Sequence, residues 1–323
     1  MEQFVRLVGI ARLAAEGNVL AQKRRVEYRT LPTRKWLNRC NSPRVPFHWT
    51  INPYRGCEYG CKYCYARFTH EFLERREADA FETEIYAKDW DPSAFREELK
   101  AVKPGQMIGL GTATDPYQPA ERKFNRTRQA LEAMLELRGA SLFITTKSDL
   151  VTRDIPLLKK LAGRNQVGVT LSIGTLDRGL ARLTEPYAPR PDLRMQAVAE
   201  LARAGVPVGV IASPVLPLLT DSEENLESVA KAAKIAGAGR FGANVVFLMP
   251  AAQRVFFPFL ATSFPEHLRR YEKSFAAGAY LRGAYPARIR VLVDSIRKRV
   301  GISARDLDRV HAPEPVESQM LLF

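Results

Sequence analysis

The sequence predicts a parallel α/β fold, either a doubly wound sheet or a β/α barrel. Six short apolar segments are the first reason: residues 48–52, 107–111, 142–145, 167–173, 206–212 and 244–249 read as strands. Most of them are followed by a stretch with helical spacing of apolar residues, and that regular alternation makes a parallel sheet. Their apolar character is the second reason, since it suits strands covered by helices on one face and by a packed interior on the other. Size is the third: 323 residues, 46% of them hydrophobic, can bury the core of one barrel-sized domain or of two small ones.

In chain order, residues 1–45 show no sustained period and contain loop formers such as Leu31-Pro32-Thr33 and Asn41-Ser42-Pro43. They read as a short amphipathic segment over residues 4–15 and then an irregular basic arm. The β-prone run at residues 48–52 is stopped by Pro53, and a helix is expected over residues 65–77. Asp91-Pro92 is a cap followed by a proline at the first helical position, opening a helix over residues 93–102 that Lys103-Pro104-Gly105 closes. After the strand at 107–111, Leu131, Met134, Leu135 and Arg138 share helical spacing, with Gly139 as the stop. Helices over residues 154–162, 192–204 and 222–235 follow the next three strands, the last with acids in its first turn, where the helix dipole favours them. Residues 265–277 and 287–300 read as helices beyond the sixth strand. The division expected is a basic extension (1–45), a core (46–250) and a helical C-terminal region (251–323), with a proline-containing tail at 312–316 and no internal repeat.

The most specific stretch is residues 52–68, N-P-Y-R-G-C-E-Y-G-C-K-Y-C-Y-A-R-F, with Cys57, Cys61 and Cys64 spaced by three residues and then by two. An odd number of closely spaced thiols makes a poor disulfide set and a good soft-metal site. A structural zinc site takes four protein ligands, usually as two pairs, and no second C-x-x-C exists in this chain. Three thiolates suit a cube of four irons, each sulfur on its own iron and the fourth iron left to a non-protein ligand. The alternative is a zinc site completed by Cys40, His48 or His70, in a basic nucleic-acid-binding protein without redox chemistry.

The C-x3-C-x2-C spacing, with aromatic Tyr63 before the third cysteine, resembles the cluster motif of the radical S-adenosylmethionine (SAM) enzymes. That resemblance implies a [4Fe-4S] cluster whose open iron is chelated by SAM, and reductive cleavage of SAM to methionine and a 5'-deoxyadenosyl radical. It narrows the fold to the partial (β/α)6 TIM-type barrel of that superfamily, with the cluster loop after the first core strand.

In parallel β/α folds the functional groups gather at the C-terminal ends of the strands. The second strand ends in G-T-A-T-D-P-Y-Q-P-A-E-R, where much of the superfamily keeps a glycine-rich motif for the SAM amino group; Thr112, Thr114 and Asp115 are the substitutes on offer. Lys147, after the third strand, places a cation at the mouth to meet the SAM carboxylate. Ser172 closes the fourth strand, and Ser213 follows the fifth, a natural place for backbone contacts to a ribose or adenine. Together T-D-P-Y-Q-P-A-E, T-T-K-S, L-S-I-G-T-L-D, the Glu185-Pro186 pair and S-P-V-L-P resemble the branch related to spore photoproduct lyase, over residues 47–250. Carried over by that resemblance, Lys147 and Ser172 match SAM-contacting positions, and Cys57, Cys61 and Cys64 match the cluster ligands. The lyase has a hydrogen-donating cysteine near the end of the second strand, where Thr112 stands here. An O–H bond is too strong for that role, so another substrate is expected. Tyr65 and Tyr117 are candidate radical-relay residues near the mouth.

The net charge of +14 concentrates in the leader (Lys23, Arg24, Arg25, Arg34, Lys35, Arg39, Arg44) and the final third (Arg269, Arg270, Arg288, Arg290, Arg297, Lys298, Arg299). Such a surplus makes nucleic acid a candidate partner. No apolar run approaches the ~20 residues that a bilayer span needs. Residues 1–15, broken by Arg6 and Arg12, do not read as a signal peptide, and the cysteine usage points to a reducing cytoplasm. The expected electron donor is a reductase or a flavodoxin or ferredoxin.

Overall fold

Six parallel strands lie side by side in the order in which the chain makes them. The computed structural model describes residues 7–23, 25–33, 35–41 and 45–304. The tail at 312–316, the arm residues Arg24, Arg34, Arg44 and Ser42-Pro43, and the first part of the 4–15 segment lie outside them.

The strands are β1 (Val19–Lys23), β2 (Val26–Leu31), β3 (Leu37–Arg39), β4 (Trp49–Ile51), β5 (Tyr54–Arg55), β6 (Glu84–Lys88), β7 (Met107–Leu110), β8 (Ser141–Thr146), β9 (Gln166–Ser172), β10 (Val208–Val215), β11 (Arg240–Val245) and β12 (Ser303–Ala304). The main sheet runs β12-β11-β10-β9-β8-β7-β4-β3, parallel from β4 to β12, with β3 antiparallel at its edge. A doubly wound sheet reverses its strand order at a switch point. This order never reverses, and right-handed crossovers then put every connecting helix on one face, as in an arc of a barrel. The six core strands are therefore those expected, with boundaries shifted by a few residues.

Strand alternation separates the two faces. Val167, Val169 and Leu171 of β9, Leu142 and Ile144 of β8, and Val208 and Val210 of β10 join the core beneath the helices. Their neighbours in sequence face the inside of the arc. There Gly109 and Gly168 leave room for large groups: a Cβ on Gly109 would sit 2.6 Å from the Phe47 ring, and one on Gly168 would sit 3.1 Å from Phe143 and 3.2 Å from Arg240. Phe47, Phe143 and Arg240 thus fill the inside at these levels of the strands, and the polar residues beyond them cluster at the C-terminal ends.

Residues 1–45 differ from the expected irregular arm. Their described part forms the helix Gly9–Glu16 and strands β1 to β3. β1 and β2 pair antiparallel, and β2 runs parallel to β6, whose other edge carries β5, giving a second sheet of order β1-β2-β6-β5. The partner of β2 lies more than fifty residues downstream, so no local pattern announces it. The helix expected over 65–77 is also shorter than the pattern suggested: a 3-10 turn at Tyr65–Arg67 leads into Phe68–Glu71 and stops. Glu74 takes a positive φ of 56°, and Arg67 turns its guanidinium back to the Cys61 and Ala78 carbonyls. At the C-terminal end, Pro250–Ser263, Pro265–Phe275 and Ala284–Val300 are helical, the last packing beside Glu223–Ile235 and β11.

Candidate functional site

The cysteine loop leaves the C-terminal end of β4 and is braced from both sheets. Gly56 has φ +81° and turns the chain so that the Cys57 N–H donates to the Phe81 carbonyl at 2.8 Å. The Gly56 carbonyl accepts from Thr114 Oγ1 at 2.6 Å and Gln118 Nε2 at 2.9 Å, while Gln118 Oε1 accepts from the Glu58 N–H at 3.0 Å. From the arm, the Tyr28 hydroxyl donates to Glu58 Oε2 at 2.9 Å. Farther along, the Lys62 N–H reaches the Thr184 carbonyl at 2.9 Å, and Arg67, paired with Glu82 at 2.5 Å, donates to the Cys61 carbonyl at 3.1 Å. Cys57 and Cys61 are buried and Cys64 is half-buried.

As bare thiols these cysteines are poor acids. Burial pushes Cys61 up to about 12, with Lys147 and Arg194 pulling the other way, and raises Cys57 well above its usual range. Burial raises Cys64 too, opposed first by Arg67. A metal that displaces the thiol protons removes this penalty, and Lys147, Arg194 and Arg67 supply positive charge to an anionic thiolate set. Three thiols on one short loop with these cations beside them suit a cubane, which takes one sulfur per iron and leaves the fourth iron to a non-protein ligand. Two of the three residues offered as a fourth zinc ligand stand at the other end of the strand, and the third is engaged with backbone. Cys40 pairs with His48 at the N-terminal end of β4, the opposite end from the loop, and the His70 Nε2 is engaged with the Glu84 carbonyl at 3.0 Å.

Beside the loop the strand ends form one polar network. Lys147 Nζ donates to Ser172 Oγ at 3.1 Å, and Ser172 Oγ donates to the Ser213 carbonyl at 2.8 Å, tying the ends of β8, β9 and β10 together. Glu185, 6% exposed, faces Lys147 Nζ at 3.9 Å, accepts from the Tyr63 hydroxyl, and pairs with Arg194 at 2.5 Å. Burial would raise the Glu185 carboxyl, but Arg194 and then Lys147 outweigh it and hold it below its usual range. Burial would likewise lower the Lys147 ammonium, yet Glu185 keeps it charged.

The structure brings Tyr63, Lys147, Ser172 and Ser213 together next to the cysteines. Asp115 and Thr114 lie close by but are already engaged. Asp115 accepts from Thr146 Oγ1 at 2.6 Å, the Lys147 N–H at 2.7 Å and the Tyr117 N–H at 2.9 Å, so it shapes the loop and aims Lys147. The Thr112 hydroxyl accepts from Asn52 Nδ2 at 3.1 Å, and the Thr112 carbonyl accepts from the Tyr65 hydroxyl. Tyr65, 38% exposed, is at the mouth; Tyr117, 1% exposed, is not. Its ring joins the helix-side core with its hydroxyl near Asp154, because the turn after Pro116 is pinned by Thr127. Sequence reasoning did not single out Arg194 or Gln118, whose roles depend on contacts across 9 to 62 residues. Glu185 was visible as part of an E-P pair, without its partners.

The family model of the radical SAM superfamily matches residues 51–231, more than half of the chain and every residue of the polar network beside the cysteines. The chain belongs to the radical SAM superfamily. It is a radical SAM enzyme, and the (β/α)6 arc is that superfamily's fold. An uncharacterised protein of Mycobacterium bovis is 34% identical over 289 residues, covering 87% of this chain and 82% of that one. One from Methanocaldococcus jannaschii is 31% identical over 199 residues, covering 62% of this chain and 71% of that one. Among solved structures, a spore photoproduct lyase variant with bound SAM and dinucleoside spore photoproduct superposes with a TM-score of 0.65 at 17% identity, over 84% of this chain and 78% of that one. Streptococcus suis SuiB bound to its precursor peptide gives 0.50 at 16% identity, over 79% of this chain and 47% of that one. At these identities the likeness establishes the fold. One neighbour holds a dinucleoside and the other a peptide, so the fold leaves the substrate open.

Proposed function

We infer that this enzyme holds a [4Fe-4S] cluster on Cys57, Cys61 and Cys64 and cleaves SAM reductively to abstract hydrogen from a substrate at the open end of the arc. The observation that carries the reading is the three-thiol loop, with two of its cysteines buried and Lys147 and Arg194 beside it. When bound, the cluster would supply one electron to the sulfonium of SAM, giving methionine and a 5'-deoxyadenosyl radical. The chain's residues bind and orient. Lys147, with Ser172 as its acceptor, offers its remaining N–H donors to the SAM carboxylate. The Ser213 segment runs along the same edge as backbone for the ribose or adenine, and Tyr63 keeps one wall of the loop in place. Tyr65 is the candidate relay residue at the mouth; Tyr117 has no path to it. Thr112 stands where the lyase's thiol is expected, so repair of spore photoproduct is not the reaction proposed.

Nucleic acid is the first substrate class proposed. Support comes from the +14 charge and from a ladder of rings on the rim: Tyr65 lies 4.8 Å from Phe247, which stacks on Tyr280 at 5.2 Å and 16°. Exposed rings on a basic protein suit unpaired bases. A peptide or small metabolite is the second class. A cytoplasmic location, from the cysteine usage, and a flavodoxin, ferredoxin or reductase as donor are part of the same proposal. No helix among the described residues is long and apolar enough to cross a membrane. The test is anaerobic reaction of the reconstituted protein with dithionite and SAM, with chromatography for 5'-deoxyadenosine. Equal amounts of methionine and 5'-deoxyadenosine support the reading; intact SAM beside a loaded cluster refutes it.

A further inference from the structure

Glu185 and Arg194 form an ion pair at 6% and 2% side-chain exposure. Such a pair is seldom kept for stability, because well-packed apolar residues of the same volume commonly do as well or better. Its connections suggest another purpose. Arg194 spends all three of its directions on fixed acceptors: the Ser172 carbonyl at 3.0 Å, the Pro189 carbonyl at 2.7 Å and Glu185 Oε2 at 2.5 Å. That anchors the carboxylate and leaves Oε1 facing two groups from different parts of the chain. One is the hydroxyl of Tyr63, the residue before Cys64; the other is Lys147 Nζ at 3.9 Å, at the end of β8. At that distance the carboxylate attracts the ammonium without holding a hydrogen bond. Lys147 Nζ donates to Ser172 Oγ at 3.1 Å and has further N–H donors, so it can lean towards an incoming anion.

We propose that Glu185 is a positioning residue that couples the seating of the cysteine loop, through Tyr63, to anion binding at Lys147. The proposal rests on the reading of Lys147 as the contact for the SAM carboxylate. When Lys147 moves towards the ligand, the charge on Oε1 is left to the Tyr63 hydroxyl, which tightens its hold on the loop. Thermodynamic linkage makes the effect reciprocal: a loop fixed by its metal improves SAM affinity by the factor with which SAM stabilises the loop.

A double-mutant cycle tests this. Tyr63→Phe keeps the ring that Lys147 lies over at 5.8 Å and removes the hydroxyl alone. Lys147→Gln removes the ammonium. SAM dissociation constants are measured by equilibrium dialysis on reconstituted wild type, each single variant and the double variant, with iron per chain determined on every sample. The set is then repeated with Glu185→Gln. Coupling requires that the double variant bind SAM at least about threefold better than the product of the two single losses. In the Glu185→Gln background the losses should simply multiply. A purely structural role would lower iron content and melting temperature without producing this pattern. Losses that multiply while Glu185 is present overturn the proposal, as does non-additivity that persists without it. If Glu185→Gln does not fold, the wild-type-background cycle still decides, since multiplied losses there exclude coupling. A wild-type protein that holds no iron and binds no SAM would refute the radical SAM reading instead.

Discussion

Adding one methyl group at Gly56 should cost the protein its metal, whereas the same change at Gly205 should not. Both glycines have positive φ, +81° and +77°, so alanine brings backbone strain of about 1–2 kcal/mol at either position. Around Gly205 nothing lies within 4 Å of the new Cβ. At Gly56 the Cβ would sit 2.7 Å from the Glu84 carbonyl oxygen and 2.9 Å from that of Phe81, both backbone atoms that cannot swing aside. The Phe81 carbonyl is the acceptor for the Cys57 N–H, so relief of the clash moves the first cysteine. An overpacked site adds about 1–3 kcal/mol, for a total of about 2–5 kcal/mol at Gly56. With at most about 2–4 °C per kcal/mol, the figure for somewhat smaller chains, Gly205→Ala should melt a few degrees low with full iron. Gly56→Ala should melt about 1.5 to 4 times as far below wild type and lose most of its iron after anaerobic reconstitution. Differential scanning calorimetry and a colorimetric iron assay on the same preparations are sufficient. Equal melting temperatures and full iron in both variants would refute the loop-docking argument.

Two further expectations concern pH and the rim. His70 is buried, with Nδ1 lacking a hydrogen-bond partner, and burial pushes it down to about 4. The unfolded chain, with histidine near 6.5, therefore binds the proton more strongly, and stability is lost as pH falls from about 6.5 towards 4. Between pH 7 and pH 5 the loss should be about 2 kcal/mol by urea denaturation, and much smaller in His70→Gln; an unchanged slope would contradict the assignment. On the rim, Tyr280→Ala should weaken binding of a fluorescent single-stranded oligonucleotide about 5- to 100-fold by anisotropy, with iron content unaltered. Identical affinity in the variant, or none in the wild type, would remove the case for stacked bases.

Much of the core was legible because its signals are local. Ser222 caps the helix that follows by accepting from the Asn225 N–H, and Asp91 does the same for Ser93 and Ala94 with Pro92 in the first turn. Each apolar strand run is likewise found near its expected place. The helix Pro250–Ser263 escaped because Pro258 lies inside it, which argues against a helix in sequence. The second sheet escaped because β2 pairs with a strand far away, and its charged residues look like a solvated arm. In the site, the cysteine spacing was explicit, while Asp115 read as a possible ligand contact. Only the fold reveals that three donors already occupy it. Tyr117 was misplaced for a similar reason: its neighbours in sequence line the mouth, but its own side chain turns into the core.

The proposed chemistry stands or falls on whether Cys57, Cys61 and Cys64 hold a cluster with one iron open to SAM. Electron paramagnetic resonance of the dithionite-reduced, anaerobically reconstituted protein, recorded without and with SAM and paired with metal analysis, tests it most directly. About four irons per chain, a cluster signal that changes on addition of SAM, and loss of both iron and signal in Cys61→Ala are expected. One zinc per chain with no iron, or a cluster signal indifferent to SAM, would contradict it.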